Sequence, residues 1–419
     1  MSLLNRQIKE AARGLGFDVV GITSIEPLSR DGEAFLEWCE QGFAAGMSYM
    51  TRRKELHASP KLLVPQAVSL ITLAINYYAP APDFKHEQRY GRVARYAWGL
   101  DYHDVVKPRL ALLAERIEQI AARPCRSRSF VDAVPLLERA VAARAGLGFF
   151  GKNTNLLQSG RGSWFFLAEI LIDLELESEY GKQQISCGSC SRCLDACPTD
   201  AFAGPYRLDS RRCISYLTIE NKGAIPRELR AGLQEWIFGC DVCQEMRPDA
   251  TKHGGLPVIV RGQSDSVCPF NRFAKETLWN EFHPEAGVGP RLDLAEVLSI
   301  ATDQEFRAAF KGTPLTRPKR RGLLRNAAVV AANIGCTAAI PALIERVEHD
   351  LEPLIRSHAL WALAQLNWKK ACPRIERALT DPDPLVRDEA TVLISDDEIL
   401  ARPLAPNLER EQAEPKGKQ

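Results

Sequence analysis

The stretch CGSCSRCLDACP places Cys187, Cys190, Cys193 and Cys197 at C-x2-C-x2-C-x3-C, with Pro198 directly after. This is the bacterial ferredoxin run: three thiolates of one loop cap irons of a [4Fe–4S] cluster, and the fourth usually ligates the other cluster of a pair. Zinc sites more often pair two C-x2-C knuckles or include histidine, and no histidine lies between Cys187 and Cys243. A pair of clusters needs a second set of ligands. Cys213, with Cys240 and Cys243 of CDVC, supplies three, and Cys197 completes them. The first set, Cys187, Cys190 and Cys193, then lacks its fourth. A regular second run would place a cysteine where Arg247 stands, before Pro248, and Cys268 followed by Pro269 comes only later. Cys268 is read as the displaced fourth ligand and residues 247–267 as an insertion; the alternative is a three-cysteine cluster. Eight of the twelve cysteines fall between Cys187 and Cys268, a clustering that points to metal rather than to secretory disulfides. Cys39, Cys125, Cys336 and Cys372 stand alone and read as buried thiols acting as small hydrophobes.

A second candidate is GLGFFGKN, residues 146–153. Gly146, Gly148 and Gly151 fit the dinucleotide fingerprint, and Gly146, Gly151 and Lys152 fit a P-loop without its hydroxyl, since position 153 is Asn. Both templates need a strand before the glycines and a helix after them, because the helix N-terminus holds the phosphate. Here PLLERAVAARAGLG reads as a helix, with Pro135 near its start, and KNTNLL as a strand. The nucleotide readings fail on context. What remains is a helix cap, or a place where backbone approaches something large and flat.

The elements around these motifs divide the chain into regions. Residues 1–180 alternate helical and strand patterns: FDVVGIT and SLITLAINY read as strands, and DVVKPRLALLAERIEQIAAR as a helix with Leu110, Leu113, Ile117 and Ile120 in one stripe. A hairpin is expected around Ser159–Gly162. Residues 181–280 hold the cysteines. In 290–400, Arg325, Arg356 and Arg387 recur at a spacing of 31 residues, with Ala328, Ala359 and Ala390 in register, the pattern of HEAT-like helical pairs. The tail 401–419 reads as disordered. The fold class is α+β: a mixed α/β domain, a two-cluster ferredoxin-like module and C-terminal HEAT-like repeats. The uncharged stretch Leu62–Pro82 contains Pro65, Asn76 and Pro80 and reads as a buried strand rather than a membrane span. With no signal peptide evident in MSLLNRQIKEAARGLGF, the expected location is the cytoplasm. A formal net charge of +1 leaves nucleic-acid binding to a local patch. One exists: Lys311, Arg317, Lys319, Arg320, Arg321 and Arg325 occur with no acidic residue between them.

FVDAVPLLERAVAARAGLGFFGKNTNLL, ARYAWGLDYHDVVKPRL, the double ferredoxin run, RRCISYLTIENKG and GLLRNAAV, in this order along residues 1–400, together resemble the epoxyqueuosine reductases. The resemblance implies a cobalamin-binding α/β domain beside two [4Fe–4S] clusters, and repeats that help hold a tRNA carrying epoxyqueuosine at the wobble position. The glycine loop would lie against the corrinoid. Asp132 of FVDAVP would be the proton donor, although without the resemblance it reads first as a helix N-cap before Pro135. Tyr96, Asn153, Asn155 and Ser215, with Asp132, would contact the corrinoid. The resemblance implies a base-off cobalamin without a protein axial ligand; consistent with this, DYHDVV has Val106 where a cobalt-ligating D-x-H-x-x-G motif has glycine, and His103 reads as a polar wall or a helix-start residue. Lys222, Arg317, Lys319, Arg320 and Arg321 would meet RNA phosphates. An external one-electron donor of flavodoxin or ferredoxin type is implied, and the chain is expected to act as a monomer. Competing readings are a small-molecule corrinoid reductase, an electron-transfer iron–sulfur adaptor, and a zinc-stabilised RNA-binding scaffold.

Overall fold

Two long apolar runs form the centre of the N-terminal region. The computed structural model describes residues 2–82, 87–180, 185–245 and 267–395. Its first seven strands are β1 (Val19–Ser24), β2 (Ser69–Asn76), β3 (Tyr90–Val93), β4 (Ser127–Phe130), β5 (Phe149–Phe150), β6 (Leu156–Leu157) and β7 (Phe165–Ile172). An antiparallel sheet runs β1-β2-β7-β4. The near-continuous hydrophobicity of β2 and β7 follows from burial on both faces. One face packs against the helices Leu3–Gly14 and Tyr102–Ala121 through Ile8, Leu110, Leu113 and Ile117. The other lies under the Glu138–Arg144 helix through Val141 and Leu171.

The structure corrects the expected hairpin. Only an isolated Gln158–Gly162 bridge joins its arms, because β7 pairs along its whole length with β2 and over Glu169–Ile172 with β4, while β6 pairs with β5. The helix after FVDAVP begins at Glu138, later than Pro135 promised, and of KNTNLL only Leu156–Leu157 is strand. Of the four solitary cysteines, Cys336 is buried but Cys39, Cys125 and Cys372 are only half-buried. Most of the 247–267 insertion and the tail 401–419 lie outside the described residues.

The cysteine region is built from short pieces: helices Arg192–Asp195, Ile214–Ile219 and Val242–Glu245, and strands β8 (Phe202–Gly204), β9 (Arg207–Leu208) and β10 (Trp236–Phe238). It does not stand alone. A three-stranded sheet, β10-β3-β11 with β11 at Arg291–Asp293, takes one strand from each of the three regions. The repeat helices Lys319–Ile334, Pro353–Leu366 and Pro384–Ile394 share one apolar core with the cysteine region, including Leu217, Trp236, Phe238, Leu324, Val330, Leu360 and Leu393. Lys319–Ile334 is buried almost all round, and so it lacks a clean amphipathic stripe. The repeat arginines do different work. Arg356 pairs with Asp381 at 2.7 Å, bridging repeats. Arg325 is fully buried and donates to the carbonyls of Leu217, Asn221 and Gly223.

Two more ties close this seam. Arg230 meets Glu389 at 2.8 and 3.0 Å. The buried His358 Nε2 accepts the Ile225 N–H at 3.1 Å while Nδ1 faces the Leu354 carbonyl at 2.8 Å. That arrangement needs a neutral ring. Burial, then the charges of Arg230 and Arg325, hold the imidazole well below its ordinary 6.5. A depressed folded value gives stability that is present above the unfolded value and lost as the pH falls below it. Thermal unfolding should therefore show a fall in stability below about pH 6.5, and His358→Gln should flatten that slope. An unchanged slope would remove His358 as its source.

Candidate active site and cysteine centres

Eight cysteines converge in two sets. Cys187, Cys190, Cys193 and Cys268 line one cavity of about 210 Å³, together with Lys152, Asn153, Leu157, Val267, Pro269 and Phe270. Cys268 thus sits with the three thiols that lacked a fourth. Burial, followed by the charges of Cys268, Cys187 and Cys190, pushes the Cys193 thiol up to about 12. The other set is Cys197, Cys213, Cys240 and Cys243. Burial and then mutual repulsion hold Cys240 and Cys243 well above the ordinary thiol value. In both sets a thiolate needs a cation to balance it. Among the described residues, no three His, Cys, Asp or Glu side chains close around a single-ion site. Spacing a set around a cavity suits a polynuclear cluster, whereas about 2.3 Å zinc–sulfur bonds draw four sulfurs into one small tetrahedron.

The glycine loop turns out to serve these cysteines. Gly146, with φ +82°, ends the Glu138–Arg144 helix as a left-handed cap. Gly148 and Gly151 let β5 and β6 close: an added Cβ would come within 2.5 Å of the Leu157 carbonyl oxygen at the first and 2.7 Å of the Asn153 side chain at the second. The hairpin tip then reaches both sets. The Lys152 N–H points to Cys187 Sγ at 3.4 Å, and the Asn155 amide to Cys243 Sγ at 4.0 Å. Asn153 donates to the Cys243 carbonyl at 3.3 Å.

Three of the candidate corrinoid contacts therefore gather at the inner set, because Ser215 follows Cys213 and its N–H faces the Cys213 sulfur. Tyr96 stacks near Phe238, 6.0 Å between rings, and lies beside Gly239. Burial, then the charges of Asp241 and Asp132, raise the Tyr96 phenol well above its ordinary value. Asp132 itself is exposed. It is no helix cap: the helix starts six residues on, with Leu137 in the cap position. Its backbone is left-handed, φ +47°, a conformation that costs a non-glycine residue roughly 1–2 kcal/mol. Two contacts hold it there. The Tyr102 hydroxyl donates to Asp132 Oδ2 at 2.7 Å, and Glu138 Oε1 accepts the Asp132 N–H at 3.0 Å. His103 is taken up by Asp101 at 2.7 Å in the first turn of its helix.

The basic residues separate. Arg321 donates to the Lys222 carbonyl at 2.9 Å, and Arg317 pairs with Glu220 at 2.9 Å, so Lys222, Arg317 and Arg321 form one exposed group with Lys319 exposed nearby in sequence. Arg320 is a correction: it is buried and ion-paired with Asp350, turned into the repeats and away from any phosphate. Arg325 is likewise buried. The sequence reading missed Tyr49, 48% exposed, with the Arg317 guanidinium 5.8 Å from its ring. Burial, then Glu220, pushes its phenol up to about 12, and Asp132 contributes. The signal was local: Arg52 and Arg53, both exposed, follow this tyrosine closely.

Paired cysteine sets fused to helical repeats define a double-cluster iron–sulfur protein. A 4Fe-4S double cluster binding domain model matches residues 186–248 and a HEAT repeat model residues 318–395. The epoxyqueuosine reductase QueG model matches residues 57–133. Epoxyqueuosine reductase of Pseudomonas aeruginosa is 40% identical over 366 residues, 86% of this chain and 94% of that protein, and the Xanthomonas campestris protein is 39% identical, covering 86% and 95%. A crystal structure of epoxyqueuosine reductase with an epoxyqueuosine-modified tRNA-Tyr stem loop superposes with a TM-score of 0.83 at 30% identity, covering 95% of this chain and 98% of that one. A Bacillus subtilis epoxyqueuosine reductase, its catalytic aspartate loop swung out of the active site, gives 0.82 at 30% identity, covering 94% and 98%. The chain belongs to the epoxyqueuosine reductase family and is an oxidoreductase.

The double-cluster match ends before Cys268, so the fourth ligand is tested directly. Cys268→Ala should lose one cluster's iron and half the charge-transfer absorbance, with the inner cluster intact. Two complete clusters in the variant would exclude Cys268.

Proposed function

We propose that this chain reduces epoxyqueuosine to queuosine at the wobble position of tRNA, with a base-off cobalamin seated between the inner cysteine set and Asp132. The observation that carries this reading is Asp132, held at φ +47° with its carboxyl on the Tyr102 hydroxyl, while Asn153 and Asn155 reach Cys243 of the inner set. The residues present fit such a group. Tyrosines, amides and a hydroxyl suit a flat macrocycle with an amide rim, and the nearby His103 is engaged by Asp101 rather than free to ligate cobalt.

The net reaction takes two electrons and two protons, breaks both epoxide C–O bonds, forms a C=C bond and releases the oxygen as water. When bound, the corrinoid supplies low-valent cobalt, an electron-rich centre for the epoxide carbon. Asp132 gives a proton to the departing oxygen, and Tyr102 orients its carboxyl. Cys187, Cys190, Cys193 and Cys268, beside exposed Gly188 and Ser189, would hold one cluster on the side open to a flavodoxin or ferredoxin type donor, and Cys197, Cys213, Cys240 and Cys243 would hold the other; bound there, the clusters would supply one-electron transfer. Lys222, Arg317, Lys319 and Arg321 hold anticodon-arm phosphates, and Tyr49 offers a ring to an unstacked base. The stem loop bound by the relative supports this partner. The chain acts as a monomer.

Mixing the reconstituted protein anaerobically with cob(II)alamin should convert the EPR signal to the base-off form. An unchanged base-on signal with intact clusters would leave an electron-transfer adaptor. Asp132→Asn should lower kcat on modified tRNA by about 10²–10⁴-fold while leaving the base-off signal and RNA affinity near those of the parent; wild-type turnover would remove Asp132 as donor.

A further inference from the structure

Behind Asp132 lie two carboxyls that the chemistry above does not use. Glu169 sits in the middle of β7, opposite Thr72 of β2 and Phe130 of β4, and is fully buried. Neither of its carboxylate oxygens completes a hydrogen bond of ordinary geometry, nor does the Thr72 hydroxyl facing it. Glu138 opens the helix that covers this face of the sheet, and it is the residue that accepts the Asp132 N–H. The groups facing the couple are Thr72 from β2, Asp132 from the β4 exit, Tyr102 from its own helix, and Arg139, the one cation among them. Arg139 is exposed and spends a hydrogen bond on the Thr154 carbonyl, 2.7 Å away.

Two carboxylates in one apolar seam do not both ionise. A sheet interior tolerates such a group only when it is neutral or paired. Burial and then the Asp132 charge push Glu138 up to about 8; burial and then the Glu138 charge hold Glu169 well above the carboxylate range.

We propose that Glu138 and Glu169 share one proton and act as a positioning pair for Asp132. Glu169 carries the proton, and Glu138 holds the Asp132 amide, keeping the left-handed backbone and the carboxyl aimed at Tyr102. Loss of the shared proton leaves both glutamates charged beneath Asp132 and drives the Asp132 segment away.

The couple's proton is held above the unfolded glutamate value, so its contribution to stability is complete below the ordinary 4.5 and is lost at alkaline pH as that proton leaves.

The test is infrared spectroscopy and thermal unfolding of the full chain with its clusters, for the parent, Glu169→Gln and Glu138→Gln. The parent should show a protonated-carboxyl band at neutral pH that disappears at alkaline pH and is absent from Glu169→Gln. The alkaline loss of stability should flatten in the same variant. In turnover, Glu138→Ala should lower kcat on the order of 10²-fold through misplacement of Asp132, with KM little changed. Glu138→Gln, whose amide oxygen still accepts, should restore most of it, and Glu169→Gln should carry the alkaline limb of the pH profile upward. A parent without the band at neutral pH, a band that survives in both glutamine variants, or an alanine variant with parental kcat would overturn the proposal. Its catalytic half rests on Asp132 as donor: a fully active Asp132→Asn with the expected infrared behaviour would discard the donor and leave the shared proton standing.

Discussion

The arrangement depends on bringing eight cysteine sulfurs, drawn from segments far apart in sequence, to two neighbouring points, where burial raises the thiols of Cys193, Cys213, Cys240, Cys243 and Cys268. Burial and mutual repulsion raise the inner thiols, so the polypeptide must force the convergence by packing. It does so from outside the cysteine region. β10, which leads into Cys240, is held by β3 and backed by the Lys319–Ile334 helix. Arg325 clamps the carbonyls that follow the Ile214–Ile219 helix, whose start is Cys213. The repeats are therefore part of the cysteine centre's scaffold as well as a surface. This explains why the Lys319–Ile334 helix is buried on most sides, with Lys319 and Arg321 exposed at its start, instead of showing the one-sided stripe of a solvent-facing repeat.

The same packing sets the order of the site. The inner cysteines meet the tip of the β5–β6 hairpin, the hairpin's glycines permit that approach, and Asp132 stands across from them at the end of β4. An adaptor that only relayed electrons would have no use for a left-handed aspartate next to a tyrosine hydroxyl. A helix cap would not need that geometry either, and Asp132 caps nothing.

Much of this was legible because it was local. The ferredoxin run declares itself within a dozen residues, and Pro269 after Cys268 carried enough of the motif to point across an insertion. The apolar stripes of Tyr102–Ala121 and the 31-residue period of the repeats followed from helix periodicity. What failed was non-local. β6 and β7 are neighbours in sequence but pair elsewhere, since an eight-residue buried strand gains more from a full-length partner. Arg320 and Arg321 are adjacent in sequence, yet a helix turns one onto Asp350 and leaves the other beside Lys222. A charge count cannot see that rotation. Glu169 was visible as the sole charge inside FFLAEILI, but its meaning required knowing that both faces of that strand are covered.

Glu169 and Asp132 each break a local rule, a carboxyl in a sheet centre and a non-glycine residue at positive φ. Either alone would be a small defect. The strain of roughly 1–2 kcal/mol at Asp132 is comparable to what one ordinary hydrogen bond returns, about 0.5–1.5 kcal/mol. The Glu138 contact is therefore large enough to decide whether the strained backbone persists. Glu138 in turn is half-buried beside the fully buried Glu169, so its protonation is coupled to that neighbour. The two exceptions are one device, and departures from local consistency that support each other in this way belong at a functional site.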